Sequence, residues 1–296
     1  MEQAQWAELS AVIKAVCRAT PRPTRAKFSH GLILRPYFWA VLHGRPVSSA
    51  VDRLHYNRLF RPRKLPSVSQ LNRRVASPPF QRLLERVHLR LGGPPGAATL
   101  YVDGKALPVS PVSGDRDARW GHGGKGYELH AVVTDGLRIP VFCVLPMNRH
   151  EAPVAAAMLE RMPPLAAGTL VMADGNYDAH DLHKRVHALG GWLITRPRRG
   201  GARRRRRGER GHPVTRRQMG VARRTLIDAW EGSPALMKCV YKERARVERL
   251  FGHLVATPGL LGPLPSFVRG LARVRRWVGA KICLYHARQR AKMRAA

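Results

Sequence analysis

The sequence predicts an α/β fold, in which a mixed sheet flanked by helices follows an α-helical N-terminal region. After residue 97, strand-like and helix-like segments follow one another in the order strand, hairpin, helix, strand, helix, strand, which is typical of a sheet covered by helices. Residues 1–95 instead show apolar residues at helical spacing. The run Leu-Gly-Gly-Pro-Pro-Gly at 91–96 separates the two patterns and is a linker signal.

Helices in the first region are expected at residues 6–19, 48–60 and 69–75, where apolar residues recur every three or four positions. Ser67 or Ser69 can cap the third of them. That short helix also carries Arg73 and Arg74, residue types that contact phosphates or base edges. We therefore expect residues 1–95 to be a helical DNA-binding region, with an ordinary helical bundle as the alternative.

The elements of the second region are delimited by turn residues and changes of periodicity. Asp135-Gly136 is a hairpin signal between two apolar runs. Strands are expected at 100–103, 127–134, 138–145, 170–174 and 192–195, and helices at 152–162, 179–189, 238–254 and 268–294. The last of these helices lies in a segment, 257–296, that is expected to be a basic C-terminal helical tail.

The charge balance indicates a polyanionic partner. The formal net charge is +34, from 53 Lys and Arg against 19 Asp and Glu. Lys and Arg neutralise phosphates and release counterions, which gives affinity without sequence preference. Residues 198–217 alone contain ten arginines, among them Arg203, Arg204, Arg205, Arg206 and Arg207, and these five are predicted to contact DNA. A solvated loop is the alternative for this stretch.

Three acidic residues stand out against this basic background. Asp103 and Asp174 each end a strand-like run and precede a glycine, and Glu248 lies on the helix expected at 238–254. Carboxylates from strand ends and a nearby helix are suited to two-metal phosphoryl transfer, and Mg²⁺ prefers oxygen ligands. The alternative for each Asp-Gly pair is an ordinary turn, which is our interpretation of Asp135-Gly136.

The expected helix at 238–254 places Tyr241, Arg244 and Glu248 on one stripe, because i, i+3 and i+7 fall within roughly 60° at 100° per residue. A hydroxyl, a guanidinium and a carboxylate together can hold a metal ion and the phosphate beside it. An exposed Arg244–Glu248 pair would contribute only tenths of a kcal/mol and would not explain Tyr241.

These segments resemble the DDE-class insertion-sequence transposases, which have an RNase-H-like catalytic core. The segments that carry the resemblance are Tyr-Val-Asp-Gly at 101–104, Lys-Gly-Tyr-Glu-Leu-His at 125–130, Val-Met-Ala-Asp-Gly-Asn-Tyr-Asp at 171–178 and the Tyr-x2-Arg-x3-Glu pattern that starts at Tyr241. The last matches the Tyr-Arg-Glu signature of insertion-sequence families four and five. The resemblance covers about residues 97–256, which we expect to be the catalytic domain.

The resemblance implies Asp103, Asp174 and Glu248 as catalytic metal ligands, with Tyr241 and Arg244 on terminal DNA phosphates. It implies Mg²⁺ as the cofactor, with Mn²⁺ as a substitute, double-stranded DNA at element ends and target as the partner, and a homodimer on DNA. The implied function is cleavage at the ends of an insertion sequence followed by strand transfer. An RNase-H-like nuclease or resolvase without strand joining, and an inactive DNA-binding relic, remain as alternatives.

The sequence departs from the family pattern at two places. Val255 stands where a lysine is often found seven residues after the glutamate, and the insertion at 197–237 is short and rich in arginine. Trp230 within it is expected to pack internally rather than to stack on a base.

No signal segment opens the chain, and no apolar run reaches the length of a membrane span, so a cytoplasmic, nucleoid-associated protein without membrane contact is expected.

Overall fold

The computed structural model describes residues 1–21, 26–93, 97–197 and 220–295. The helices are α1 (Glu2–Arg18), α2 (Gly31–Leu42), α3 (Val68–Ala76), α4 (Pro78–Gly92), α5 (Glu151–Leu159), α6 (His180–Ala188), α7 (Val221–Gly232), α8 (Pro234–Lys242), α9 (Ala245–Ala256) and α10 (Leu271–Ala295). The strands are β1 (Thr99–Pro108), β2 (Arg119–Gly121), β3 (Gly124–Thr134), β4 (Val141–Pro146), β5 (Leu170–Ala173) and β6 (Trp192–Ile194). None of the helices in these ranges is both long and apolar enough to cross a membrane.

The strands form one mixed sheet in the order β4-β3-β1-β5-β6, with the short β2 paired to the first residues of β3. β4, β3 and β1 are antiparallel, whereas β5 and β6 run parallel to β1. Three antiparallel strands followed by two parallel strands, with helices on the sheet, make up the RNase-H-like fold, so the predicted fold class is confirmed.

The two faces of the sheet are covered by different helices. On β1, Leu100 and Val102 belong to the core that includes residues of α5 and α6. Tyr101 points the other way and belongs to the core formed with α9, α10 and the N-terminal helices. This alternation follows from the two-residue period of a strand, and it decides on which face each polar residue of the site lies.

α10 lies inside the protein rather than at its edge. It packs against α1, α2, α4 and β4, and Val278, Ile282 and Leu284 are fully buried. The Gln5 side-chain amide donates to the Leu284 carbonyl oxygen at 2.9 Å. The segment 257–296, expected as a basic tail, therefore supplies a central helix. The proposed division at 1–95, 97–256 and 257–296 stays a prediction.

The N-terminal region is helical, but its elements differ from those expected. The prediction of a helix at 48–60 is wrong, since this segment contains two short 3-10 helices, Val47–Val51 and Arg53–His55. They are separated because the backbone of Asp52 is extended and its side chain accepts a hydrogen bond from Leu54 N. The cap of α3 is confirmed as Ser67, which forms a reciprocal capping box with Gln70.

Candidate active site

Asp103 and Asp174 lie side by side on adjacent parallel strands. Val102 of β1 is in register with Ala173 of β5, and each aspartate is the next residue along its strand. Parallel neighbours are about 4.8 Å apart. β5 ends at Ala173, one residue earlier than predicted, and Asp174 directly follows it. The Asp174 carboxylate accepts from Asn176 N at 2.6 Å. The prediction that Asp103 ends β1 is wrong, because the strand continues to Pro108.

Gly104 follows Asp103 for a reason other than a turn. It lies within β1 and pairs with His130 of β3. A Cβ atom added to Gly104 would lie 2.4 Å from Oε1 of Glu128, so the glycine makes room for that buried carboxylate. Asp135-Gly136, by contrast, is in the turn between β3 and β4, as expected.

The single helix predicted for 238–254 is interrupted, so that prediction is wrong in detail. α8 ends at Lys242 and α9 begins at Ala245. Across the junction the backbone bonds span three residues, from Arg244 N to the Tyr241 carbonyl oxygen and from Val247 N to the Arg244 carbonyl oxygen, both 3.1 Å. This tighter 3-10 turn leaves Arg244 at the start of α9, whose buried residues pack on β1.

Arg244 contacts two of the three predicted ligands. One terminal nitrogen lies 3.5 Å from Oδ2 of Asp103, and the other donates to Oε1 of Glu248. The guanidinium carbon lies 5.8 Å from the ring centre of Tyr241. The Arg244 side chain is 20% exposed and that of Asp103 is 17% exposed. Arg244 therefore bridges β1 and α9, rather than forming only an exposed surface ion pair with Glu248.

The electrostatics of Asp103 reflect burial and crowding by other acids. Burial is the main reason that the pKa of Asp103 is raised to about 6; the Gly104 N–H and Arg244 oppose it, while the carboxylates of Asp174 and Glu151 act in the same direction as burial. Like charges that share a site disfavour the ionised form. The pKa of Arg244 is lowered by burial but raised overall by Tyr241, Asp103, Glu248 and Asp174. All three predicted ligands thus favour the charged form of the same group, the Arg244 guanidinium.

The chemistry of this donor set fits a hard divalent ion, since all three ligands are carboxylates. Arg244 stands between two of the donors, Asp103 and Glu248. In the described part of the chain, three ligand atoms within 4.8 Å of one another occur at His122, Glu128 and Glu151, not at Asp103, Asp174 and Glu248. The Arg244 guanidinium thus lies between the carboxylates of Asp103 and Glu248, where a bound ion would also have to lie.

α7 is fixed close to the candidate site. Nε and a terminal nitrogen of Arg223 donate to the two oxygens of Asp178 at 2.9 and 2.8 Å, and Asp178 lies four residues after Asp174. Trp230 donates from Nε1 to the Thr195 carbonyl oxygen at 2.9 Å. Its ring meets Tyr241 edge-on, with 5.9 Å between centres. Trp230 is half-buried and packs against other protein groups, as expected from the sequence.

The remaining predicted DNA contacts lie apart from the acids. On α3, Arg73 is exposed. Arg74 is partly buried, and one of its terminal nitrogens donates to the Phe28 carbonyl oxygen at 3.2 Å while the other lies 3.5 Å from Nδ1 of His30. Arg74 thus has a structural contact, and its DNA contact stays a prediction. The five arginines at 203–207 lie outside the described residues.

Glu128 and Glu151 were not predicted as site residues from the sequence. Glu128 and His130 alternate with Tyr127 and Leu129 on β3. Polar residues at alternate positions of a strand that is apolar on its other face are a recognisable signal of a shared polar site.

The topology and the neighbouring acids define an RNase-H-like protein with a carboxylate-rich site at β1, β5 and α9. A family model for the transposase DDE domain matches residues 94–285, and the chain therefore belongs to the DDE-domain transposase family. Among solved structures, the cryo-EM structure of the piggyBac transposase synaptic complex with hairpin DNA is similar to this chain, at 7% identity and a TM-score of 0.45, over 98% of this chain and 73% of that one. A search of curated proteins gives no match.

Proposed function

We propose that this transposase is a divalent-metal-dependent enzyme that cuts DNA at the ends of an insertion sequence and joins the freed 3′ ends to target DNA. The observation that carries the proposal is the Arg244 bridge between Asp103 and Glu248, with Asp174 beside Asp103. This arrangement gathers three carboxylates and a guanidinium at one end of the sheet.

Asp103, Asp174 and Glu248 would hold Mg²⁺, or Mn²⁺ as its substitute. When bound, such ions activate a water or a 3′-hydroxyl and stabilise the leaving oxygen. The protein's own part is to fix the three oxygen donors on two strands and one helix. The chain's net charge of +34 supports double-stranded DNA as the substrate, since phosphates bind such surfaces without sequence preference.

Arg244 and Tyr241 would handle the DNA phosphate beside the carboxylates. A guanidinium can bind two phosphate oxygens at once. The guanidinium of Arg244 lies over the Tyr241 ring, which in turn contacts the Trp230 ring edge-on. We further propose a homodimer on paired DNA ends, as the family resemblance implies. Light scattering of the protein–DNA complex would give its stoichiometry.

The test uses the three Asp-Gly pairs of the chain. Asp103→Asn and Asp174→Asn should lose cleavage and strand joining on duplex DNA that carries the inverted repeats flanking the gene, because an amide is a poorer cation ligand than a carboxylate. Glu248→Gln should do the same. All three should still bind DNA in filter-binding assays. The matched control is Asp135→Asn, in the turn between β3 and β4, which should keep both reactions.

The outcomes separate the alternatives. Cleavage near the parental rate by Asp103→Asn or Asp174→Asn would contradict the proposal. A parental protein that cuts but joins no pre-cut 3′ ends would be a nuclease or resolvase. A parental protein that binds DNA yet neither cuts nor joins with Mg²⁺ or Mn²⁺ would be an inactive relic.

A further inference from the structure

A second group of ionisable side chains lies on the other face of the sheet from Asp103. Glu128 and His130 occupy alternate positions on β3, between Tyr127 and Leu129, whose side chains belong to the core formed with α9 and α10. Glu128 and His130 therefore point towards the face that α5 covers. Asp103 shares the opposite face with Tyr101 and meets Arg244 there.

Three ligand atoms meet on the α5 face. His122, in the turn before β3, Glu128 on β3 and Glu151, the first residue of α5, each offer one atom, and these atoms lie within 4.8 Å of one another. The Glu128 side chain is 1% exposed and that of His122 is 62% exposed. The group thus extends from the interior to the solvent, which leaves a path for an ion.

Glu128 is a buried carboxylate that has no Lys or Arg partner in the described ranges. Its nearest basic neighbours there are His122 Nε2, 3.8 Å from Oε1, and His130 Nε2, 3.6 Å from Oε2. Oε2 has no hydrogen-bond partner among the described residues. A buried carboxylate is costly unless it is paired, bound to a metal ion or neutralised.

Two more buried polar groups near these ligands have incomplete hydrogen bonding. His130 is fully buried, and neither of its ring nitrogens has a hydrogen-bond partner in the part of the chain that the structure describes. The same holds for the fully buried Tyr177 hydroxyl. Burial raises the pKa of Tyr177 well above its usual range, and the carboxylates of Glu151, Asp103, Asp174 and Glu128 act in the same direction. Buried polar groups are normally bonded, so three unsatisfied groups around one place indicate a missing ligand.

We propose that His122, Glu128 and Glu151 bind a divalent transition-metal ion, of the Zn²⁺ or Mn²⁺ class, with a set of ligands that shares no member with Asp103, Asp174 and Glu248. Imidazole nitrogen with two carboxylates suits Zn²⁺ and Mn²⁺, whereas Mg²⁺ favours oxygen ligands alone. His130 and the Tyr177 hydroxyl lie around the ligands and can bond to them or to a water on the ion. The ion would tie the β2–β3 turn to the start of α5 and neutralise Glu128.

The test measures metal binding in a full-length background that lacks the candidate active site, Asp174→Ala with Glu248→Ala. Equilibrium dialysis against Zn²⁺ or Mn²⁺ should leave one tight ion per chain. Adding Glu128→Gln or His122→Ala should weaken this binding at least about tenfold, while His150→Ala, an exposed neighbour outside the group, should not change it. Circular dichroism verifies that each variant is folded, and the exposed His122 keeps the test valid if Glu128→Gln does not fold.

Electron spin resonance of bound Mn²⁺ gives a second readout. Coupling to a histidine nitrogen should be present in this background and lost in His122→Ala. Mg²⁺ should displace Zn²⁺ only in large excess. Absence of a bound ion in the background variant, unchanged binding in both ligand variants, or equal competition by Mg²⁺ would overturn the proposal. Loss of strand joining in Asp103→Asn tests the proposed function separately, because dialysis in this background does not depend on activity.

Discussion

Arg244 links the strand and helix parts of the candidate active site through a single guanidinium. It reaches Asp103 across the sheet edge and Glu248 one turn along α9, while it lies over Tyr241. Lysine has one compact ammonium group and cannot present two parallel donors. Replacing Arg244 with lysine therefore distinguishes a role in phosphate binding from a purely structural role.

We predict that Arg244→Lys folds normally but loses most end cleavage and strand joining on a pre-cut substrate. Its melting temperature should fall by less than about 4 °C, since partly exposed ion pairs contribute about 0–1 kcal/mol. The matched control is Arg185→Lys, in an exposed pair with Glu160 at 2.6 Å, which should retain full activity. Near-normal joining by Arg244→Lys would remove the phosphate role.

At the scale of elements, the sheet could be predicted because its strands carry their own signals. Strands β3 to β6 fall where apolar runs and turn residues placed them. α2 was missed because nearly all of its residues from Ile33 to Leu42 are buried, so it lacks the polar face that makes a helix recognisable. The break between α8 and α9 contains neither glycine nor proline. It is associated with the packing of α9 on β1 and of Tyr241 on Trp230, which no local pattern shows.

The same limit applies to the candidate site. Asp103 and Asp174 were recognisable because each follows an apolar, strand-like run, although β1 continues beyond Asp103, and Glu248 was recognisable from its spacing to Tyr241. Glu151 has no such signal, since only the docking of α5 on β3 brings it to Glu128. Contacts of this kind depend on tertiary packing rather than on sequence spacing.

α3 offers a prediction that separates two neighbouring arginines. Arg73→Gln should weaken DNA binding without changing stability, because the side chain is exposed and neutralises phosphate. Arg74→Gln should lower the free energy of unfolding by about 1 kcal/mol, because it loses the bond to the Phe28 carbonyl oxygen. Urea unfolding and filter binding on both variants would measure the difference. Equal DNA affinity of Arg73→Gln and the parental protein would show that α3 does not bind DNA through this residue.

For the whole molecule, two buried histidines join the N-terminal helices, α10 and the sheet. His88 of α4 lies 2.7 Å from the Ile139 carbonyl oxygen, and His286 of α10 accepts from Ile139 N at 3.1 Å. Their rings stack with 5.4 Å between centres. Because one nitrogen of His286 accepts a hydrogen bond, the ring has to be neutral. Burial lowers the pKa of both, and His88, Arg138 and Arg290 lower that of His286 further.

We therefore predict that the protein loses stability as pH falls below about 6.5, the ordinary pKa of histidine. The unfolded chain takes up protons there that the folded chain does not, so the free energy of unfolding decreases with falling pH. Urea unfolding between pH 8 and pH 5 measures the slope. Gln at both positions keeps a donor and an acceptor without titrating, so the double variant should flatten the dependence in part, while His150→Gln on the surface should not. An unchanged slope in the double variant would contradict this explanation.

The net charge of the chain leads to a prediction about Arg203 to Arg207. Each phosphate that the protein no longer neutralises lowers the slope of log affinity against log salt by about 0.9 for duplex DNA. Replacing all five arginines with glutamine should therefore weaken binding to every sequence alike and flatten the slope by up to about 4.5. The five-lysine variant keeps the charge and should keep most of the slope, so it separates the effect of lost charge from that of replacing five residues. Titrations of labelled duplexes of two unrelated sequences, from low to moderate salt, give both quantities. If the glutamine variant has the parental slope, these arginines do not touch DNA, and the basic residues that do must lie elsewhere, with exposed Arg73 as the first to examine.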